Sequence, residues 1–109
     1  MKKTNKVIIT IDTSNNKEMV VGLIIDSKED IRRQPLNTRK AQVVLPLIKT
    51  LLAEHNLSIA DVTAITVNPG PGSFTGVRVG ISIANALGYI LNVPVNENTP
   101  GDPVDAVYS

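Results

Sequence analysis

Between one apolar run, VTAITV, and another, ISIANALGYIL, the chain carries NPGPGSFTGVRVG, from Asn68 to Gly80. Gly70, Gly72, Gly76 and Gly80 share this stretch with two hydroxyls, Ser73 and Thr75, and one cation, Arg78. Glycines placed between a strand and a helix let something come close to the backbone. A phosphate is the first candidate, because a helix N-terminus offers free N–H groups. The details suit it badly. The spacing is G-x-G-x-x-x-G, no Lys-Ser or Lys-Thr pair follows, and Pro71 removes one backbone donor. Nucleophilic attack by Ser73 or Thr75 would need a base. The one histidine, His55, falls at the far end of the preceding helix, where it reads as a C-terminal cap, and GPGSF is not the G-x-S-x-G elbow. Ser73 or Thr75 fits better as the N-cap of the helix that follows. No set of His, Asp and Glu shows metal-ligand spacing, so no metal is expected.

Composition removes further classes. With 109 residues the chain is one domain, and its 11 basic and 10 acidic side chains leave a net charge of +1. That balance gives no footprint for nucleic-acid binding by this chain alone. Aromatics are 3%, namely Phe74, Tyr89 and Tyr108, so there is no platform for stacking bases. Cysteine is absent, which removes disulfides and thiolate chemistry. MKKTNK leads into VIITI, but Asp12 interrupts that run, so no signal peptide or membrane span is expected. The expectation is a soluble, cytoplasmic protein without a membrane role or a cofactor.

Several elements must position the glycine loop. VIITI, Val7 to Ile11, is a continuous apolar run, as expected of a strand covered on both faces. DTSNNK is a turn, and EMVVGLIID a second strand in an antiparallel hairpin with the first. After DSKED, the polar DIRRQPLN reads as a third strand, with Pro35 suiting a sheet edge. A helix is predicted over TRKAQVVLPLIKTLLAEHNL, with Ala41, Val44, Leu45, Ile48, Leu51 and Leu52 on one side and Pro46 causing a kink or a late start. VTAITV is a strand, a helix runs from about Thr75 to Leu91, and Val93 to Val95 form a last short strand. The order β-β-β-α-β-α-β predicts an α/β fold with a mixed sheet.

The helix after the loop has the strongest pattern. Arg78, Ser82, Asn85 and Tyr89 fall in a narrow polar arc, leaving an apolar arc of roughly 220°, far wider than one surface helix needs. Gly76, Gly80, Ala84 and Gly88 recur every four residues as a groove of small side chains. Each helical glycine costs about 1 kcal/mol against alanine, so the repetition calls for close approach by another backbone. That backbone is either the domain's own first helix or, in addition, a partner helix, since Val43 and Leu47 on the first helix are also surplus. The expected partner interface is Val43, Leu47, Gly76, Val79, Gly80, Ile83, Ala84, Leu87 and Gly88.

IDTS at Ile11 to Ser14, LPLIKTLLAEHNLSIADVTAITV at Leu45 to Val67, and GPGSFTGVRVG at Gly70 to Gly80 resemble the N-terminal lobe of the TsaB (YeaZ) family. The resemblance covers Val7 to Val95 in the same order. It implies a single lobe of the actin/Hsp70/sugar-kinase (ribonuclease H-like) type. It also implies a scaffold without catalysis of its own. Such a scaffold pairs through its two helices with a TsaD-type protein that transfers threonylcarbamoyl to adenosine in tRNA. A TsaE-type ATPase is a further partner, and tRNA is met only through the complex. By the same resemblance, Asp12, Thr13 and Ser14 form the first, vestigial turn of a phosphate site whose opposite turn belongs to the second lobe, with a plain hairpin turn as the competing reading; Gly70, Gly72, Ser73, Thr75 and Arg78 make up the glycine loop.

The departures from the family pattern are specific. Lys40 and Ala41 stand where the family often has His-Ser, and Pro69 where an arginine commonly precedes the motif. Residues 1–95 are expected to form the lobe and 96–109 a poorly ordered polar tail, with the second lobe absent. Two rival readings remain at this point. One is a homodimer through the same helices with no TsaD role; the other is an acyl- or phosphoryl-transfer half-site completed by a second chain.

Overall fold

The computed structural model describes residues 6–15, 17–35 and 40–107; the side chains of Lys40, Ala41, Gln42 and Phe74 lie outside that description. The expected start of the first helix near Thr38, the place of Ala41 on it, and the ends of both tails lie outside the described residues.

Three strands form a meander: β1 (Val7–Asp12), β2 (Glu18–Ile25) and β3 (Lys28–Pro35). The turn between β2 and β3 is two residues, Asp26 and Ser27, both at positive φ (49° and 75°), the conformation whose twist matches the flanking strands. α1 (Lys40–Glu54) follows, then β4 (Ala64–Val67) and α2 (Phe74–Leu91). The sheet order is β3-β2-β1-β4, with β1 antiparallel to β2 and parallel to β4. A parallel neighbour requires a crossover, and α1 supplies it. The result is an α/β lobe with a mixed sheet, as the order of elements predicts, and of the actin-like type that the resemblance implies.

Alternation along the strands builds the core. Val7, Ile9 and Ile11 of β1, Met19, Val21 and Leu23 of β2, and Ile65 and Val67 of β4 are buried. Above them lie Val44, Ile48, Leu51 and Leu52 of α1 and Val77, Ile81 and Ala84 of α2. Ile8, Thr10 and Ile24, on the other face, are only half-buried. β1 is therefore covered on one face, not two, because both helices pack on the same side.

Two further details differ from expectation. Of the two expectations at Pro46, the late start is excluded, since α1 runs through it, and Leu45, expected on the apolar side, turns outward, 39% exposed. The last strand is reduced to one bridge, Ile65 with Val95. Pro94 has no N–H to extend the ladder, and positive φ at Asn96 and Glu97 turns the chain away. The Asn96 carboxamide takes over the next rung, accepting from Val67 N at 2.8 Å and donating to Val67 O at 2.9 Å. Residues after 95 also make specific contacts: Val104 is buried and exchanges two hydrogen bonds with the Asn85 amide (2.8 and 3.0 Å), and Val107 N donates to Pro69 O at 2.7 Å. No helix among the described residues is long and apolar enough to cross a membrane.

Candidate functional site

Both helices end where asparagine can adopt the left-handed conformation. Asn56 follows α1 with φ 59°, and Asn92 caps α2 with φ 57°. His55, at the first of these ends, does not cap carbonyls as expected. Its Nε2 lies 2.8 Å from Asp30 Oδ2, across on β3. Arg32 grips the same carboxylate with two hydrogen bonds of 3.0 Å and also holds Glu54. The Arg32 and His55 hydrogen bonds lower the Asp30 carboxyl to about 2, and Arg32 likewise lowers Glu54. These groups tie the end of α1 to the sheet edge, far from the glycine loop.

At the other end of β1 the structure brings the two motifs together. Gly72 lies so close to Ser14 that a Cβ there would be 2.6 Å from the Ser14 Cβ. Ser73 N donates to Ser14 O at 2.7 Å, and Gly70 N donates to Asn68 Oδ1 at 2.9 Å. The backbone that approaches Gly72 is thus the chain's own DTS turn, and the backbone that approaches Gly70 is the Val107 carbonyl. Ser73 is the N-cap of α2, its Oγ accepting from Gly76 N at 3.3 Å. Thr13 is buried and donates to the Gly76 carbonyl, while Thr75 and Arg78 are exposed.

Asp12 closes this clasp. Its Oδ1 accepts from the Ser14 N–H (3.0 Å) and hydroxyl (2.6 Å), and its Oδ2 from Asn68 Nδ2 (3.2 Å). Burial pushes the Asp12 carboxyl up, but the hydrogen bonds from Ser14 and Asn68 together hold it below its ordinary value. Asn68 is the member that sequence reasoning missed. Its place in Asn-Pro-Gly at the strand end marks a side chain that bonds nearby backbone, and this was the available signal. Asp12→Ala leaves these donors short of an acceptor and is expected to destabilise the fold by about 1–2 kcal/mol in urea denaturation at neutral pH. In the wild type this contribution is full above 3.8, the ordinary carboxyl value, and is lost as pH falls through the depressed one. The gap between the two proteins should therefore narrow at acid pH; a gap that does not change with pH would count against the clasp.

The expected interface residues divide into two sets. Gly76, Gly80, Ala84 and Gly88 are buried on the side facing the sheet. A Cβ on Gly80 would lie 2.5 Å from Thr13 Oγ1, and one on Gly88 would overlap Val95. The small-residue groove is filled from within the lobe, by β1, β4 and the Val93–Val95 segment. Val79, Ile83 and Leu87 instead form a half-buried stripe at helical spacing, continued by Ile90, which is 73% exposed. Val43 and Leu47 of α1 are half-buried in the same core margin, with Leu45 exposed nearby in sequence. Tyr89 is 77% exposed.

Residues 36–97 match the family model described as TsaD: tRNA N6-adenosine threonylcarbamoyltransferase. The chain is similar to the tRNA threonylcarbamoyladenosine biosynthesis protein TsaB of Haemophilus influenzae, at 36% identity over 91 residues, covering 84% of this chain and 38% of that protein. The TsaB of Bacillus subtilis is 29% identical over 92 residues, covering 82% and 39%. Among solved structures, YeaZ from Pseudomonas aeruginosa superposes with a TM-score of 0.78 at 30% identity, covering 86% of this chain and 44% of that one. The chain thus spans about two fifths of the length of the curated relatives it matches.

Proposed function

The chain belongs to the TsaB (YeaZ) family, and from that premise we propose that it is a non-catalytic scaffold that binds a TsaD-type protein in tRNA N6-threonylcarbamoyladenosine modification. The observation that carries this reading is the apolar stripe of Val79, Ile83, Leu87 and Ile90 on α2, with Val43 and Leu47 on α1. Half-buried apolar side chains at helical spacing, ending in the exposed Ile90, suit a partner helix better than water or a small ligand. The absence of a catalytic role rests on chemistry already used up. The Ser73 hydroxyl caps a helix, Thr13 holds a carbonyl, and Asp12 is held by Ser14 and Asn68. His55 is engaged with Asp30.

Solution mass by light scattering, on the chain mixed with the TsaD-type protein of the same organism, tests the reading. A stable one-to-one complex is expected, with Asp12→Ala binding as well as the wild type. Two separate peaks at all mixing ratios would remove the scaffold role.

A further inference from the structure

We propose that two copies of this chain join edge to edge through β3, in a single antiparallel register, to make one continuous sheet. β3 is the outer strand of the four, and the opposite edge, beyond β4, is occupied by Val95 and the Asn96 carboxamide. The direction of the β3 backbone groups follows from its turn. Ile25 and Lys28 flank a two-residue connection and so form a hydrogen-bonded pair. Such pairs alternate along an antiparallel ladder, so Lys28, Asp30, Arg32 and Gln34 bond β2. Glu29, Ile31 and Arg33 send their N–H and C=O groups outward. Pro35, next in that outward series, has no N–H to offer and ends the ladder.

The strand reads KEDIRRQP, which is self-complementary about Ile31. With the two-fold axis at Ile31, each Glu29 faces Arg33 of the second copy, and each Asp30 faces Arg32 of the second copy. The outward backbone groups of Glu29, Ile31 and Arg33 then meet their own kind, as ladder hydrogen bonds require. Moving the axis to residue 30 sets Asp30 against itself, and to 32 or 33 sets arginine against itself. An axis at 29 opposes two glutamates. Charged side chains and proline ordinarily protect an edge strand from pairing; here that protection fails in one register only.

Two more features agree. Ile31, on the face away from the helices, is 47% exposed and would lie against its twin. The two β2 strands would be three strand spacings apart, about 14 Å. Each α1 packs over its own β2, and neighbouring helices need about 8–10 Å, so both fit.

Sedimentation equilibrium of the full chain tests the proposal. Mass should rise with concentration to twice that of the monomer. Glu29→Arg places two arginines opposite each other at both symmetric positions and should weaken association about tenfold. The double exchange Glu29→Arg with Arg33→Glu restores the pairing and should recover the dimer, while Ile83→Arg should leave it unchanged. A chain that stays monomeric at all concentrations would overturn the proposal. So would a dimer indifferent to Glu29→Arg, or one abolished by Ile83→Arg. The β3 variants leave the α1 and α2 stripe intact, so failure here is separable from failure of the scaffold reading.

Discussion

Gly80→Leu should lose about 3 kcal/mol or more of folding stability, a large part of what a domain of this size has. The position faces Thr13, Val67 and Ile11, and even a bare Cβ would meet Thr13 Oγ1 at 2.5 Å, Val67 at 3.4 Å and Ile11 at 3.5 Å. Leucine adds three more carbons into a closed contact. Thr13 has little room to retreat, because its hydroxyl holds the Gly76 carbonyl. The gain in helix propensity, about 1 kcal/mol, is too small to offset this. Ala86→Leu, on an exposed turn of the same helix, is the control and should stay within about 0.5 kcal/mol. Urea midpoints that coincide for the two variants would mean that α2 does not sit on the sheet as described.

Ile83→Arg should have the opposite profile: a near-normal fold and a lost partner. Ile83 is in the middle of the stripe, half-buried by its own lobe, and arginine can extend its charge toward water in the free chain. Pressed under a partner helix, that charge has no relief. Binding to the TsaD-type protein, read by calorimetry, is expected to weaken by about a hundredfold or more. Ile90→Arg, nearer the rim, should cost less, about tenfold. Binding that survives Ile83→Arg yet fails with Glu29→Arg would move the partner from the helices to the β3 edge.

The contrast between Gly80 and Ile83 shows what the sequence could and could not say. The apolar runs VIITI and EMVVGLIID, and the turn residues between them, were enough to give the first hairpin, though not that β1 is covered on one face only. The helix expected from about Thr75 begins at Phe74 and ends at Leu91, because Ser73 and Asn92 are clear caps. The wheel also found surplus apolar surface on that helix. What it could not supply was direction. A run of Gly76, Gly80, Ala84 and Gly88 fits a partner helix and an underlying sheet equally well, since both require a close backbone. Only the placement of Thr13 and Val95 decides that the small side faces inward and that Val79, Ile83 and Leu87 face out. Asn68, Asn85 and Asn96 escaped notice for a related reason. Asn85 and Asn96 bond backbone 19 and 29 residues away, distances that leave no local pattern, and Asn68 has a local signal only for its bond to Gly70, not for its reach to Asp12 across 56 residues.

The two kinds of connection in this sheet give the lobe an uneven tolerance for growth. The crossover from β3 through α1 to β4 includes an exposed connection after Glu54, and doubling a flexible loop costs only about 0.6 kcal/mol in chain entropy. Insertions between α1 and β4 can therefore accumulate as surface decoration. The two-residue turn at Asp26 and Ser27 has no such freedom. One added residue that slipped β3 by a single step would exchange its faces, turning Ile31 toward α1 and carrying Asp30 and Arg32 away from Glu54 and His55. Length variation is thus easier in the crossover than in the β2–β3 hairpin, which fixes the phase of the whole outer strand.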